Sequence, residues 1–268
     1  MSTLQRLWRE RRVLALLVRR DLRVRYSRSV IGYLWTVLDP LANALIYFMI
    51  FVVIFERGDA GHHPYFLFLL AGLLPWQWFN AGVNESMRAL LAERQLVRSM
   101  DLPREIWVVR VVLSKGIEYV LSLPVLVLFT AIYIATGDTR LDWQLVFFPL
   151  AMLLEALLIT AFGLTLAPLT VMMYDFQPTV RIFLRVYFYM TPIIFNLELL
   201  DKLKQFSWLQ ILFQVNPLTG ALELYRAGFF PADPRWHVVG YSCIGIALLF
   251  GLGVWTFKRM EPAVLKEI

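Results

Sequence analysis

Six stretches of this chain are long and apolar enough to cross a bilayer, and the arginines between them fall overwhelmingly on alternate sides. A bilayer hydrocarbon core takes about 20 apolar residues per helix. The stretches are 30–55, 64–84, 116–135, 143–172, 182–197 and 237–257. With both termini cytoplasmic, nine arginines precede the first span and six Lys/Arg lie between the second and third. Arg181 and Arg185 open the fifth, and Lys258, Arg259 and Lys266 follow the sixth. Twenty of the 26 basic residues then sit inside, which is the asymmetry of the positive-inside rule. The expected fold class is an all-α, polytopic membrane protein with six transmembrane helices and both termini in the cytoplasm.

Composition narrows this further. A chain of 268 residues with six spans leaves no room for a separate soluble domain, so one transmembrane domain over 1–268 is expected. Continuous apolar runs such as 43–55 exclude the alternating strands of a transmembrane barrel. The net charge of +6 follows from topology and anionic inner-leaflet lipid, with no call on nucleic acid. The single cysteine, Cys243, lies within the sixth span and gives neither a disulfide framework nor a metal cluster. Arginines through Arg28 interrupt the N-terminal segment, so it does not read as a cleavable signal.

Residues 4–26 are amphipathic. On a helical wheel Leu4, Leu7, Trp8, Leu14, Ala15, Val18, Leu22 and Tyr26 share an arc about a third of the circle wide. Arg6, Arg9, Arg12, Arg19, Arg20 and Arg23 lie opposite, with Arg11 and Arg25 outside the pattern. The pattern predicts a helix lying in the inner membrane interface. Arg19, Arg20, Arg23 and Arg25 are then candidates to guide a lipid diphosphate, since guanidinium suits bidentate phosphate contact.

Ionisable residues within spans face the protein interior or a wet path. Glu155 is expected to form a structural ion pair with Arg181 or Arg185. Asp39-Pro40 predicts a kink in the first span. The inner loop is too long for a tight helix–helix turn. Within the segment 85–105, Glu85–Leu96 has helical composition and Pro103 ends it. The outer segment 199–236 is apolar, yet each half is too short to span and Asn216-Pro217 divides it, which predicts two short re-entrant helices.

The chain carries no G-x-x-x-x-G-K-[ST] phosphate cradle and no His/Cys/Asp constellation at metal-ligand spacing. His62 and His63 adjoin in a short outer turn, and His237 stands alone. Loops rich in acid, which a membrane-bound sugar transferase needs for Mg²⁺ and a diphosphate, are also missing. These features speak against an enzyme, and no cofactor is expected in this chain. The positive signal is aromatic, at 15% of residues. Sugar rings stack their C–H faces on aromatic planes, and Tyr and Trp add a polar handle. Tyr47, Phe48, Phe51, Tyr187, Tyr189, Trp76 and Trp78 are the candidates for such a path, although Trp and Tyr also collect at bilayer interfaces.

With these residues in view, the chain resembles the membrane subunit of type-2 ABC exporters of lipid-linked polysaccharide (O-antigen, capsule, teichoic acid or galactan). Four stretches carry the resemblance: RRDLRVRYSRSVIGYLWTVLDPL (19–41), FLLAGLLPWQWF (68–79), LVRSMDLPREI (96–106) and YMTPIIF with NPLTGALELYR (189–226). The resemblance implies a homodimer with the path between two copies, in the bacterial cytoplasmic membrane. It also implies two separate P-loop ATPase subunits that bind ATP and Mg²⁺, docking on a coupling helix in the inner loop. Arg94, Gln95, Leu96, Arg98, Leu102 and Arg104 match that loop. Asp39 departs from the pattern, where a neutral polar residue is expected. The alternatives are a related permease for drugs, haem or small lipids, and a membrane enzyme acting on polyprenyl-linked sugars.

Overall fold

The computed structural model describes residues 8–26, 32–54, 64–173, 175–197, 207–230 and 233–267. Residues 4–7, Arg28, His62 and His63 lie outside these, as does the side chain of Phe51. Among the described residues the chain is helical and has no strand; an isolated bridge joins Ala227 and Phe230.

The first helix, α1 (Arg11–Tyr26), precedes α2 (Trp35–Phe48), which continues as a wider turn over Met49–Ile54. Then come α3 (Tyr65–Ser86), two short inner helices α4 (Ala89–Ala92) and α5 (Arg94–Ser99), and the long α6 (Glu105–Thr136). A tight turn over Trp143–Phe147 leads into α7 (Phe148–Met172), followed by α8 (Phe176–Tyr189). Two short helices, α9 (Ser207–Val215) and α10 (Pro217–Arg226), precede the last, α11 (Trp236–Glu267).

Four of these segments, Tyr65–Ser86, Glu105–Thr136, Trp143–Met172 and Trp236–Glu267, are long and apolar enough to cross a membrane. They are not equivalent. In α3, 83% of the apolar stretch is buried, against 28–33% in the other three. So α3 is the central helix, and the others turn one face outward, as lipid-facing helices do. The core around α3 joins Phe66, Phe68, Leu70, Trp76 and Phe79 to Leu158 of α7 and Tyr225 of α10. A second core at the arginine-rich end joins Leu17 of α1, Leu90, Ile106, Trp107 and Phe257. In lipid, apolar surface does not drive helices together, so close contact must come from small residues. At Gly253 an added Cβ would lie 2.7 Å from the Ala161 carbonyl oxygen, so α11 meets α7 backbone to backbone.

Several helix bounds differ from those read in the sequence. The segment read as a fifth span, 182–197, is helical only to Tyr189; the chain then turns at Thr191-Pro192, because proline cannot continue the helix's hydrogen bonds. The helix expected over Glu85–Leu96 is three pieces: the end of α3, α4 and α5, with Glu93 non-helical between the last two. The helix read as 116–135 begins at Glu105. Of the expected apolar arc, Trp8, just before α1, and Ala15 within it face outward, while Val18, with the neighbouring Leu17, is buried against the protein. Pro40, where the sequence places a kink, lies inside α2.

The segment after α8 is tied to α10 by two polar side chains. Asn216 caps α10 by accepting from the Leu218 amide, and its side-chain amide donates to the Met190 carbonyl and Thr191 Oγ1, each at 3.0 Å. The Tyr187 hydroxyl donates to Asn216 Oδ1. Arg226, fully within the protein, donates to the Pro192 carbonyl at 2.7 Å and the Ile193 carbonyl at 2.8 Å, with its guanidinium 3.6 Å over the Phe68 ring. Gly72 makes room for it, since a Cβ there would lie 2.7 Å from Arg226 Nη2.

Replacing Arg226 with Met leaves both carbonyls without donors, a loss of about 1–3 kcal/mol for each charged hydrogen bond. We expect a lower thermal midpoint and faster aggregation in detergent, while Arg140→Met, at an exposed site, changes neither. Equal melting of the two variants would show that the turn is held by other means.

Candidate functional site

The chemically distinctive region lies where α1 crosses the arginine-rich ends of α3 and α6. Asp21, Arg20 and Arg25 project from α1, Glu85 from the end of α3, Glu93 from the α4–α5 break, and Arg110, Lys115 and Glu118 from α6. A helix wheel explains the α6 set: 110, 115 and 118 fall near one face, which α1 covers. Four cations and four anions interleave.

In one half, Arg25 reaches Glu118 at 2.6 Å and Glu85 at 2.7 Å, while Lys115 reaches Glu85 at 2.8 Å and Glu118 at 3.0 Å. In the other, Arg110 reaches Glu93 at 2.9 Å and Asp21 at 3.2 Å, and Arg20 binds Glu93 closely while touching Asp21 at 3.3 Å. Arg110 is 4% exposed, and its guanidinium lies 5.4 Å from the Trp107 ring centre. Burial works against the charged forms of Arg20 and Arg25, but their carboxylate partners outweigh it and raise both pKa values. Burial alone would raise the Glu93 carboxyl; hydrogen bonds from Arg110 and Arg20 outweigh it and lower the pKa.

This arrangement fastens α1 to the bundle and to the root of the inner loop together. Just beyond Glu93, α5 turns Arg94, Gln95 and Arg98 outward, whereas Val97 is buried and Leu96 half-buried. Leu102 is buried and Arg104 half-buried, its guanidinium donating to the Leu102 carbonyl at 3.2 Å. So the sequence-derived inner-loop set divides into three exposed polar residues and a supporting base. Among the four N-terminal arginines, Arg20 and Arg25 are held by carboxylates and Arg19 and Arg23 are exposed. Asp21, Glu85, Glu93, Arg110 and Lys115 did not stand out in the sequence. Lys115 and Glu118, three apart at the start of an apolar run, were the available signal.

The expected ion pair of Glu155 is not formed among the described residues. Glu155 is fully buried and accepts from the Tyr225 hydroxyl at 2.7 Å, whereas Arg181 and Arg185 are exposed on α8. The reason is positional: α10 packs on α7 at Glu155, and α8 turns its arginines away from the bundle. Of the candidate path aromatics, Trp76, Trp78 and Tyr187 are buried in the core. Trp76 lies edge-on to Phe188 at 5.2 Å, and Trp78 stacks on Tyr119 at 5.0 Å. Tyr47 and Phe48 are half-buried against Phe188 and Phe66, and Tyr189 is exposed. Among the described residues no group of three or more His, Cys, Asp or Glu is placed to hold a metal ion.

Arg110→Leu leaves Glu93 and Asp21 with Arg20 alone and should loosen α1 by roughly 1–3 kcal/mol. The check is trypsin cleavage at Arg19 and Arg23 in nanodiscs, expected to be at least several-fold faster than in the parent. Because the Glu93 pKa is lowered on folding, its contribution is complete above the ordinary value of 4.5 and is lost as pH falls through the depressed one. Glu93→Gln should remove that acid limb from the pH profile of amide hydrogen exchange over residues 11–26. An unchanged profile would assign the acid sensitivity elsewhere.

Comparison with known proteins agrees with this architecture. The family model for the ABC-2 type transporter matches residues 12–230. The O-antigen export system permease protein RfbA of Myxococcus xanthus is 30% identical over 263 residues, covering 96% of each chain. A protein of the same name from Klebsiella pneumoniae is 26% identical over 93% of this chain and 92% of its own. The polysialic acid transport protein KpsM of Escherichia coli is 28% identical over 92% of each. The chain is therefore a member of the ABC-2 type transporter family of membrane proteins.

Proposed function

We propose that this protein is the membrane subunit of an ATP-driven exporter that carries a polyprenyl-diphosphate-linked polysaccharide across the bacterial cytoplasmic membrane. The observation that carries the reading is end-to-end similarity to permeases named for O-antigen and polysialic acid transport. The sequence holds no P-loop, so ATP and Mg²⁺ bind on separate ATPase subunits. The exposed Arg94, Gln95 and Arg98 on a short helix with a bolted root suit a docking point for such a subunit.

In this reading α2 with its wider turn and α8 with the turn after it serve as the first and fifth of six crossings. Both termini are cytoplasmic, where the arginines concentrate. Two copies face each other across α2 and α8. Arg181, Arg185 and Tyr189 repeat at a spacing of four along an exposed stripe of α8. A guanidinium left in lipid is costly, so this stripe belongs to a wet or protein-covered face. Tyr189, with Tyr47 beside α8 and Phe48 one residue on, supplies the ring faces, while Trp76, Trp78 and Tyr187 are withdrawn from the path. Exposed Arg19 and Arg23 remain to meet the lipid diphosphate.

Disrupting the gene in its host should abolish the surface glycan and leave the lipid-linked polymer inside, with restoration by the intact gene. Normal surface glycan after disruption would overturn the reading. Reversing both Arg94 and Arg98 to Glu should cut co-purification of the ATPase about tenfold or more, since close interfacial charge pairs reach that size. Undiminished co-purification and export would move the docking point off α5.

A further inference from the structure

A cavity of about 450 Å³ opens at the arginine-rich end between α1, α2, α3 and α6. That is within the range of small-molecule sites, about 300–1,000 Å³. Its charges decide what fits. Arg25 and Lys115 line it, but both are neutralised by Glu118 and Glu85. Asp39, also in the wall, has no cation within 4.0 Å among the described residues. An anion would find the cations taken and a carboxylate facing it. A neutral guest meets no such opposition.

The remaining lining is polar and aromatic. Gln77 and Asn80 of α3 are half-buried and present side-chain amides. Trp78, 5% exposed and stacked on Tyr119, closes the inner wall. Trp35, 54% exposed, lines the cavity from α2. The flat ring of Trp35, the Gln77 amide and the Asp39 carboxylate together match a ring with apolar C–H faces and several hydroxyls.

We propose that this cavity is a binding site for a neutral sugar ring of the glycan cargo, separate from the path between two copies. The inference rests on the exporter reading for its cargo class. Trp35 stacks on the ring, while Asp39 and Gln77 receive neighbouring hydroxyls. Because Arg25 and Glu118 lie in the same wall, an occupied cavity also sits directly against the anchor of α1.

The test uses the full chain in lipid nanodiscs with its ATPase partner. The probes are the methyl α-pyranosides of glucose, galactose, mannose and rhamnose, read by saturation-transfer NMR, with inorganic pyrophosphate as competitor. At least one glycoside should show transfer that pyrophosphate does not displace. Trp35→Ala should reduce it about fivefold or more, in keeping with one lost stacking contact. Ala81→Phe, which fills the cavity wall, should abolish it. If Ala81→Phe fails to assemble, the exposed Trp35 variant and Gln77→Leu carry the test. No transfer from any of the four, transfer untouched by Trp35→Ala and Gln77→Leu, or displacement by pyrophosphate would each overturn the proposal. A chain that restores export yet binds no glycoside refutes the cavity alone; one that binds glycoside but never restores export refutes the exporter reading instead.

Discussion

Charged groups beside hydrocarbon must be matched at once, and the interleaved cluster of Arg20, Asp21, Arg25, Glu85, Glu93, Arg110, Lys115 and Glu118 does so among the described residues. Every member touches at least one opposite charge within 3.3 Å. Single surface ion pairs contribute about 0–1 kcal/mol. This set is different in kind, because each carboxylate is shared by two cations and Arg110 and Lys115 are buried. Removal of one member halves the opposite charge on each of its partners, so the helices α1, α3 and α6 and the inner loop keep their relative positions as one unit. The outward face of α5 and the cavity wall both depend on that unit.

Away from this end, polar groups are met by neutral partners. Glu155 takes the Tyr225 hydroxyl, Arg226 takes two backbone carbonyls, and Asn216 takes backbone groups and hydroxyls from α8 and the turn after it. These contacts satisfy the broken backbone around Pro192 and Pro217, which must not be left bare at membrane depth. The molecule thus has a charged, cross-braced end and an end braced by hydrogen bonds to backbone. Movement at one end would be carried to the other by α3, with 83% of its apolar stretch buried.

Local sequence signals showed much of this. Apolar length marked α3, α6, α7 and α11, and Asn216-Pro217 marked the start of α10, because asparagine caps and proline opens a helix. The amphipathic pattern of α1 was legible, though not which residues it buries: Leu17 packs on protein through a neighbour that a helical wheel cannot see. Partners separated by long stretches of chain were not legible. Glu155 with Tyr225 is 70 residues apart and Arg25 with Glu118 is 93. Charge alone favoured Arg181 or Arg185 for Glu155, and only the packing of α10 on α7 decides against them. Trp76 and Tyr187 show the same limit, since aromatic composition does not distinguish a core ring from one on a path.

The central claim is that the charge cluster holds α1 on the bundle, and a double-mutant cycle on Arg25 and Glu118 tests it most directly. The readout is amide hydrogen exchange across residues 11–26 of the full chain in nanodiscs. Arg25→Met and Glu118→Gln should each raise exchange, by removing the contact between them. Combined, the two should raise it by clearly less than the sum of the single effects, because the pair 2.6 Å apart in the parent is lost only once. Additive loss in the double variant, or single variants that exchange like the parent, would contradict the account.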